Sequence, residues 1–246
     1  MSFDILVGQE PHQQSFSVHH DLVVQRSARL CDLRVEFVDS PGITLNTDPE
    51  VFSAYLHCVY FGADSLKQHI ASMEEENGYS KKDFPSDDES ANDDNDMVIE
   101  PVEKFLIDLY VLADTLLDPI STNLAIDELA NLFEKRNRYL DSHLVRYAYE
   151  STTEPSPLRK LIRDYSMIDD LSVPMNIEHY KNTKFPCDFI SDILFKVLAI
   201  NRNNPNVRVR KVYHRKSLQS SRYHQVVDKV SADTAETGVD PKQEEE

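Results

Sequence analysis

The run Asp48-Pro49-Glu50-Val51-Phe52-Ser53-Ala54-Tyr55-Leu56-His57-Cys58-Val59-Tyr60-Phe61-Gly62 reads as one helix with both ends marked. Asp48 supplies a capping carboxylate and Pro49 takes the first helical position, where a missing N–H costs nothing; Thr47 with Glu50 is an alternative capping box. Val51, Phe52, Tyr55, Leu56, Val59 and Tyr60 then recur at the i, i+1, i+4, i+5 rhythm of a buried face. Gly62 is the expected stop.

Working outward, the other helix starts carry the same kind of mark. Phe105, Leu106, Leu109, Tyr110, Leu112, Ala113, Leu116 and Leu117 wrap most of a helix circumference, which predicts a central helix. Asp118-Pro119 opens the next one, with Ala125, Ile126, Leu129, Leu132 and Phe133 inward. Ser156-Pro157 opens another, where Leu158, Leu161, Ile162 and Tyr165 lie opposite Arg159, Lys160 and Arg163. The last core helix is expected to bury Phe189, Ile190, Ile193, Leu194, Val197 and Leu198. Upstream, Phe3, Ile5 and Val7 alternate with polar neighbours, as do Phe16 and Val18, predicting a hairpin. A short helix over 21–25, irregular chain and a strand near 43–45 complete the N-terminal part. The expected class is α+β, a small N-terminal sheet covered by helices.

Composition narrows the function. The 246 residues carry 26 basic and 43 acidic side chains, a net charge of −17, which argues against coating nucleic acid. Five dispersed glycines exclude a Walker loop and a dinucleotide fingerprint, both of which need clustered glycines against phosphate. The N-terminus lacks the basic and apolar regions of a signal peptide, and no run approaches a membrane span. Cys31, Cys58 and Cys187 give neither a disulfide framework nor zinc-ligand spacing, so an intracellular, reduced protein is expected. From Glu74 to Glu103 twelve acids face only two bases, Lys81 and Lys82, and residues 74–100 are expected to form a disordered acidic insertion. The helical order resumes near Pro101. Residues 135–201 are expected to form a helical extension, and 202–246 a disordered tail, basic then acidic.

Three blocks, taken in order, resemble the BTB/POZ domain family. Phe16-x-Val18-His19-His20-x-Leu22-Val23 followed by Arg26-Ser27 is similar to its "F-x-V-H-K-x-L-L … R-S-x-F" opening. Residues 48–62 resemble its "D-P-E-x-F … W-L-Y-x-G" helix, and Leu109-Tyr110-Val111-Leu112-Ala113-Asp114-x-Leu116 its "L-Y-x-L-A-D-K-L" helix. The resemblance covers residues 3–133, so residues 1–134 are expected to form a BTB/POZ-like domain of the fungal single-domain type, followed by the extension. It implies a scaffold or adaptor for other proteins, including recruitment of substrates to a cullin-type ubiquitin ligase, with a nuclear repressor-assembling role as the alternative. Cullin contact in the family uses the helices around the "W-L-Y-x-G" segment and a hydrophobic-x-Glu element in the loop after it. The corresponding expectation is a surface of His57, Asp64, Lys67, Met73 and Glu75. Only Met1 and Ser2 precede Phe3, so self-association is expected to use something other than exchange of an N-terminal strand.

His19 and His20 point to opposite sides of a strand end and favour structural roles over a metal pair. Cys187 follows Pro186 at a helix start, where the dipole can lower a thiol pKa; that makes a cryptic enzyme with a reactive cysteine a further alternative, but a buried, inert thiol is the favoured reading. No Gly-x-Ser-x-Gly turn singles out a nucleophile, and no catalysis, cofactor, metal, nucleic acid or membrane is expected. Ser86 and Ser90 each have an acid three residues on, the preference of acidophilic kinases. Arg208, Arg210, Lys211, Arg215 and Lys216 form a candidate nuclear import segment.

Overall fold

A computed structural model describes residues 2–36, 43–76, 100–136, 140–169, 185–203 and 220–225. Strands β1 (Ser2–Val7) and β2 (Gln14–His19) pair antiparallel, and β3 (Ile43–Leu45) pairs parallel with β1, giving the order β2-β1-β3. The register sets Phe3 against Val18, Ile5 against Phe16 and Ile5 against Ile43. Alternation puts these side chains on one face, where Ile5, Val7 and Val18 are fully buried. That face packs on α3 (Pro49–Phe61): the Phe16 and Phe52 rings meet edge to face at 5.1 Å between centroids.

The ends of α3 lie where the sequence predicts. The Asp48 carboxylate accepts the Glu50 backbone N–H at 2.8 Å, and the capping-box alternative is not used. At the other end Gly62 takes φ +75°, which costs a glycine nothing. Two helices precede α3. α1 (His20–Arg26) is the expected short helix, but the chain expected to be irregular after it forms α2 (Ala28–Glu36). Ser27 nucleates α2, its hydroxyl accepting the Leu30 N–H at 3.0 Å.

α4 (Ala63–Glu76) runs on after Gly62, so residues 74–76 belong to a helix rather than to the acidic insertion. Leu66 buries its inner face and Glu74 meets Lys135 at 2.8 Å, which carries the helix past the point where acidic composition alone predicts a loop. α5 (Pro101–Thr115) is the central helix, with Val102, Leu106, Ile107, Leu109, Tyr110 and Ala113 fully buried. A three-residue connection, Leu116-Leu117-Asp118, leads into α6 (Pro119–Arg136). Because α6 ends at 136, the expected domain boundary at 134 falls inside a helix.

Beyond α6, within the expected helical extension, lies α7 (Ser142–Ser151); the Asp141 carboxylate caps it through the His143 N–H at 2.9 Å. α8 (Pro157–Asp169) starts at Ser156 as expected, its hydroxyl accepting the Leu158 N–H at 3.2 Å. Arg159, placed by periodicity on the outer face, is instead buried: it donates to the carbonyls of Tyr149 and Thr152 and so satisfies the C-terminal end of α7. α9 (Cys187–Asn203) packs through Phe189 and Ile200, while Ile190, Leu194 and Leu198, expected inside, are exposed. The expected disordered tail also needs correction. Residues Ser220–Tyr223 form a 3-10 turn, and Tyr223 is buried against α6 and α8. Asn123 and Gln225 bond reciprocally, and His224 Nε2 lies 2.7 Å from Asp127.

The architecture is α+β, a three-stranded sheet beneath a mainly helical body. No helix among the described residues is long and apolar enough to cross a membrane.

Candidate protein-interaction surface

The C-terminal turn of α3 is fixed from below and open above. Tyr60 faces β2, where its hydroxyl accepts the His19 N–H at 2.9 Å and its ring meets the His19 imidazole edge to face. Phe61, one residue on, is turned outward and remains 71% exposed, with His57 beside it at 6.0 Å between ring centroids. The helix then breaks at Gly62, whose N–H bonds to the Cys58 carbonyl at 3.0 Å while its own carbonyl accepts from Ser65 Oγ at 2.8 Å. A Cβ at Gly62 would touch nothing within 4 Å, so backbone conformation rather than space demands glycine there.

α4 continues this face with Asp64 and Lys67, both exposed. An aromatic pair bordered by an acid and a base, held by a helix–glycine–helix corner, is suited to burying against another protein. Among the residues expected to line such a surface, His57, Asp64 and Lys67 cluster around this corner. Glu75 is exposed but lies at the far end of α4, and Met73 is half-buried against the core. Both sit on a helix, not in a loop. Phe61 was missed as a contact residue, although it falls outside the 51-52-55-56-59-60 rhythm that marks the buried face.

A second concavity, about 370 Å³, lies between the start of α3 and helices α5 and α7. Three of its polar groups, Lys104, Asp108 and Tyr147, are committed to one another. Lys104 Nζ lies 2.7 Å from Asp108 and 5.1 Å from the centroid of the Tyr147 ring, and the Tyr147 hydroxyl donates to Asp108. Burial pushes the Tyr147 pKa up, and Asp108 adds to it. Burial pulls Lys104 the other way, but Asp108 outweighs it and holds the ammonium form. Asp48, on the same rim, caps α3. The cluster latches α7 to α5.

His19 and His20 sit apart, the first with Tyr60 and the second with Asp21 at 2.8 Å. No group of three or more His, Cys, Asp or Glu side chains that could hold a metal ion occurs among the described residues. Cys187 is exposed rather than buried, at the first position of α9; it is Cys58 that is the buried thiol, its pKa pushed up by burial to about 11. Ser86, Ser90, Arg208, Arg210, Lys211, Arg215 and Lys216 lie outside the described residues. Compared with protein-family models, with curated proteins and with solved structures, the chain finds no match.

Proposed function

We propose that this chain is a BTB/POZ-like protein-interaction scaffold that holds a partner on the α3–α4 corner, and that the partner is the N-terminal domain of a cullin. On this reading its work is binding rather than catalysis. The exposure of Phe61 carries the proposal: a large aromatic side chain at 71% exposure, beside His57, on a helix end whose orientation Tyr60 fixes. Aromatic anchors on rigid elements supply most of the energy of small interfaces. Further support comes from the order of the elements, since the three resembling blocks fall on β2–α1, α3 and α5 around the N-terminal sheet.

Calorimetric titration of the protein with the N-terminal domain of the cullin that serves BTB adaptors tests the reading. Micromolar or tighter binding is expected, weakened at least tenfold by Phe61→Ala, with His57→Ala and Lys67→Glu giving smaller losses. No heat at high concentration contradicts it.

A further inference from the structure

Helix α9 is apolar on two sides. Phe189 and Ile200 bury one side, and the Phe189 ring packs edge to face on Tyr149 at 5.6 Å between centroids. The other side bears Ile190, Leu194, Phe195 and Leu198, all exposed, with small Ser191 among them and Ala199 at their edge. The four large residues recur at spacings of four, one and three, a continuous stripe along one face. Phe195, in the middle, is 70% exposed. A helix in water needs one apolar face to hold it to its domain, and the second has no role in that packing.

The charge pattern along the stripe indicates what covers it. Asp188 stands at its N-terminal end and Arg202 at its C-terminal end, both exposed and neither in an ion pair with another described residue. The stripe is therefore its own complement when reversed. In a second copy running antiparallel, Asp188 lies opposite Arg202 at both ends, Ser191 opposite Ala199, and the two Phe195 rings meet near the two-fold axis. The small residues give each ring room between turns of the facing helix. A parallel pairing would set like charges together at both ends. Antiparallel packing also aligns the helix dipoles favourably.

We propose that α9 is a self-association surface and that two copies of this chain pair through it, antiparallel, in an isologous dimer. The proposal stands apart from the α3–α4 reading, since α9 shares none of that corner's residues. A 17-residue helix is about 25 Å long. One helix pair of that length buries less than the ~1,200–2,000 Å² of a standard interface, so a dissociation constant in the micromolar range is expected.

Sedimentation equilibrium of the full chain across the low-micromolar to several-hundred-micromolar range tests it. A monomer–dimer equilibrium is expected, weakened at least tenfold by Phe195→Asp. Asp188→Arg or Arg202→Asp alone is expected to weaken the dimer about three- to tenfold, because each creates two like-charged ends, and the double variant to restore it. All of these positions are exposed, and circular dichroism confirms that each variant is folded. A monomer throughout, a dimer indifferent to Phe195→Asp, or a double reversal that fails to restore association would each overturn the proposal. A monomer would mean that another segment of the same chain covers the stripe.

Discussion

Arg26 and Asp118 meet across 92 residues of sequence, the guanidinium Nη2 lying 3.4 Å from a carboxylate that is wholly buried. The contact joins the first resembling block to the end of the third. Asp118 also accepts the Ile120 and Ser121 N–H groups at 3.0 Å, so one side chain caps α6 and neutralises α1. Next to it, Ser27 Oγ donates to the Leu116 carbonyl at 2.5 Å, closing the end of α5. The Arg-Ser pair thus fastens the N-terminal helices to the α5–α6 junction.

Removing one side of this pair leaves a buried charge alone. Arg26→Met is expected to cost about 3–5 kcal/mol, and Asp118→Ala a similar amount, since it also removes a helix cap. Urea denaturation of single and double variants measures this. The double variant Arg26→Met/Asp118→Ala should cost much less than the sum, because neither leaves an uncompensated charge.

Leu117 is the C′ residue of a Schellman turn, with Leu117 N–H bonded to the Asp114 carbonyl and Asp118 N–H to the Ala113 carbonyl. It has φ +54°, in a region where a β-carbon costs about 1–2 kcal/mol, and its side chain is largely exposed. Leu117→Gly should therefore stabilise the protein, by about 0.5–1 kcal/mol after the added freedom of the unfolded chain is subtracted. A lower denaturation midpoint would show that the side chain has a packing role.

High pH should unfold the protein. Burial, with Asp118 adding, raises the Tyr55 pKa, and burial raises Cys58 from 9.0 to about 11. Tyr149 is raised by burial and then by Asp192. In the folded state these groups keep protons that the unfolded chain releases, so their contribution is complete below pH 9 and is lost as pH climbs through 9 to 11 and beyond. Thermal midpoints measured from pH 8 to 11 should fall progressively. At neutral pH an alkylating reagent should label exposed Cys187 at once and buried Cys58 only on unfolding.

The docked segment at 220–225 should be removable without destroying the fold. Tyr223→Ala takes away its buried anchor and should lower stability by about 1–3 kcal/mol, less than a core truncation because the segment can leave its groove. Limited trypsin digestion reads this out directly. Cleavage after Arg222 should be slow in the wild-type protein and fast in the variant.

How much of this was legible depends on whether the signal was local. Asp48-Pro49, Asp118-Pro119 and Ser156-Pro157 carry their capping chemistry within three residues, and each helix starts where those residues stand. The buried face of α3 follows from periodicity alone. α2 was missed because Cys31, Leu33 and Val35 alternate with charged residues at a strand's period of two, and α7 was expected only as part of a helical extension because its Asp141 cap was passed over. Arg159 was misplaced because its burial depends on α7 carbonyls that no periodicity shows. The 220–225 segment is held by side chains about a hundred residues away, and nothing local announces that. Periodicity likewise cannot separate a core face from an interface face, which is why Leu194 and Leu198 of α9 were assigned inward. At the candidate surface, His57, Asp64 and Lys67 were reached through the resemblance, while Phe61 was passed over although its place outside the buried-face rhythm points it outward.

The central claim concerns where a partner sits, and amide hydrogen exchange with and without the cullin N-terminal domain tests it most directly. Slowed exchange confined to the end of α3 and the first turns of α4, residues 57–68, is the predicted result, and Phe61→Ala should abolish it. Unchanged exchange at saturating partner, or slowing elsewhere with residues 57–68 unaffected, would contradict the account.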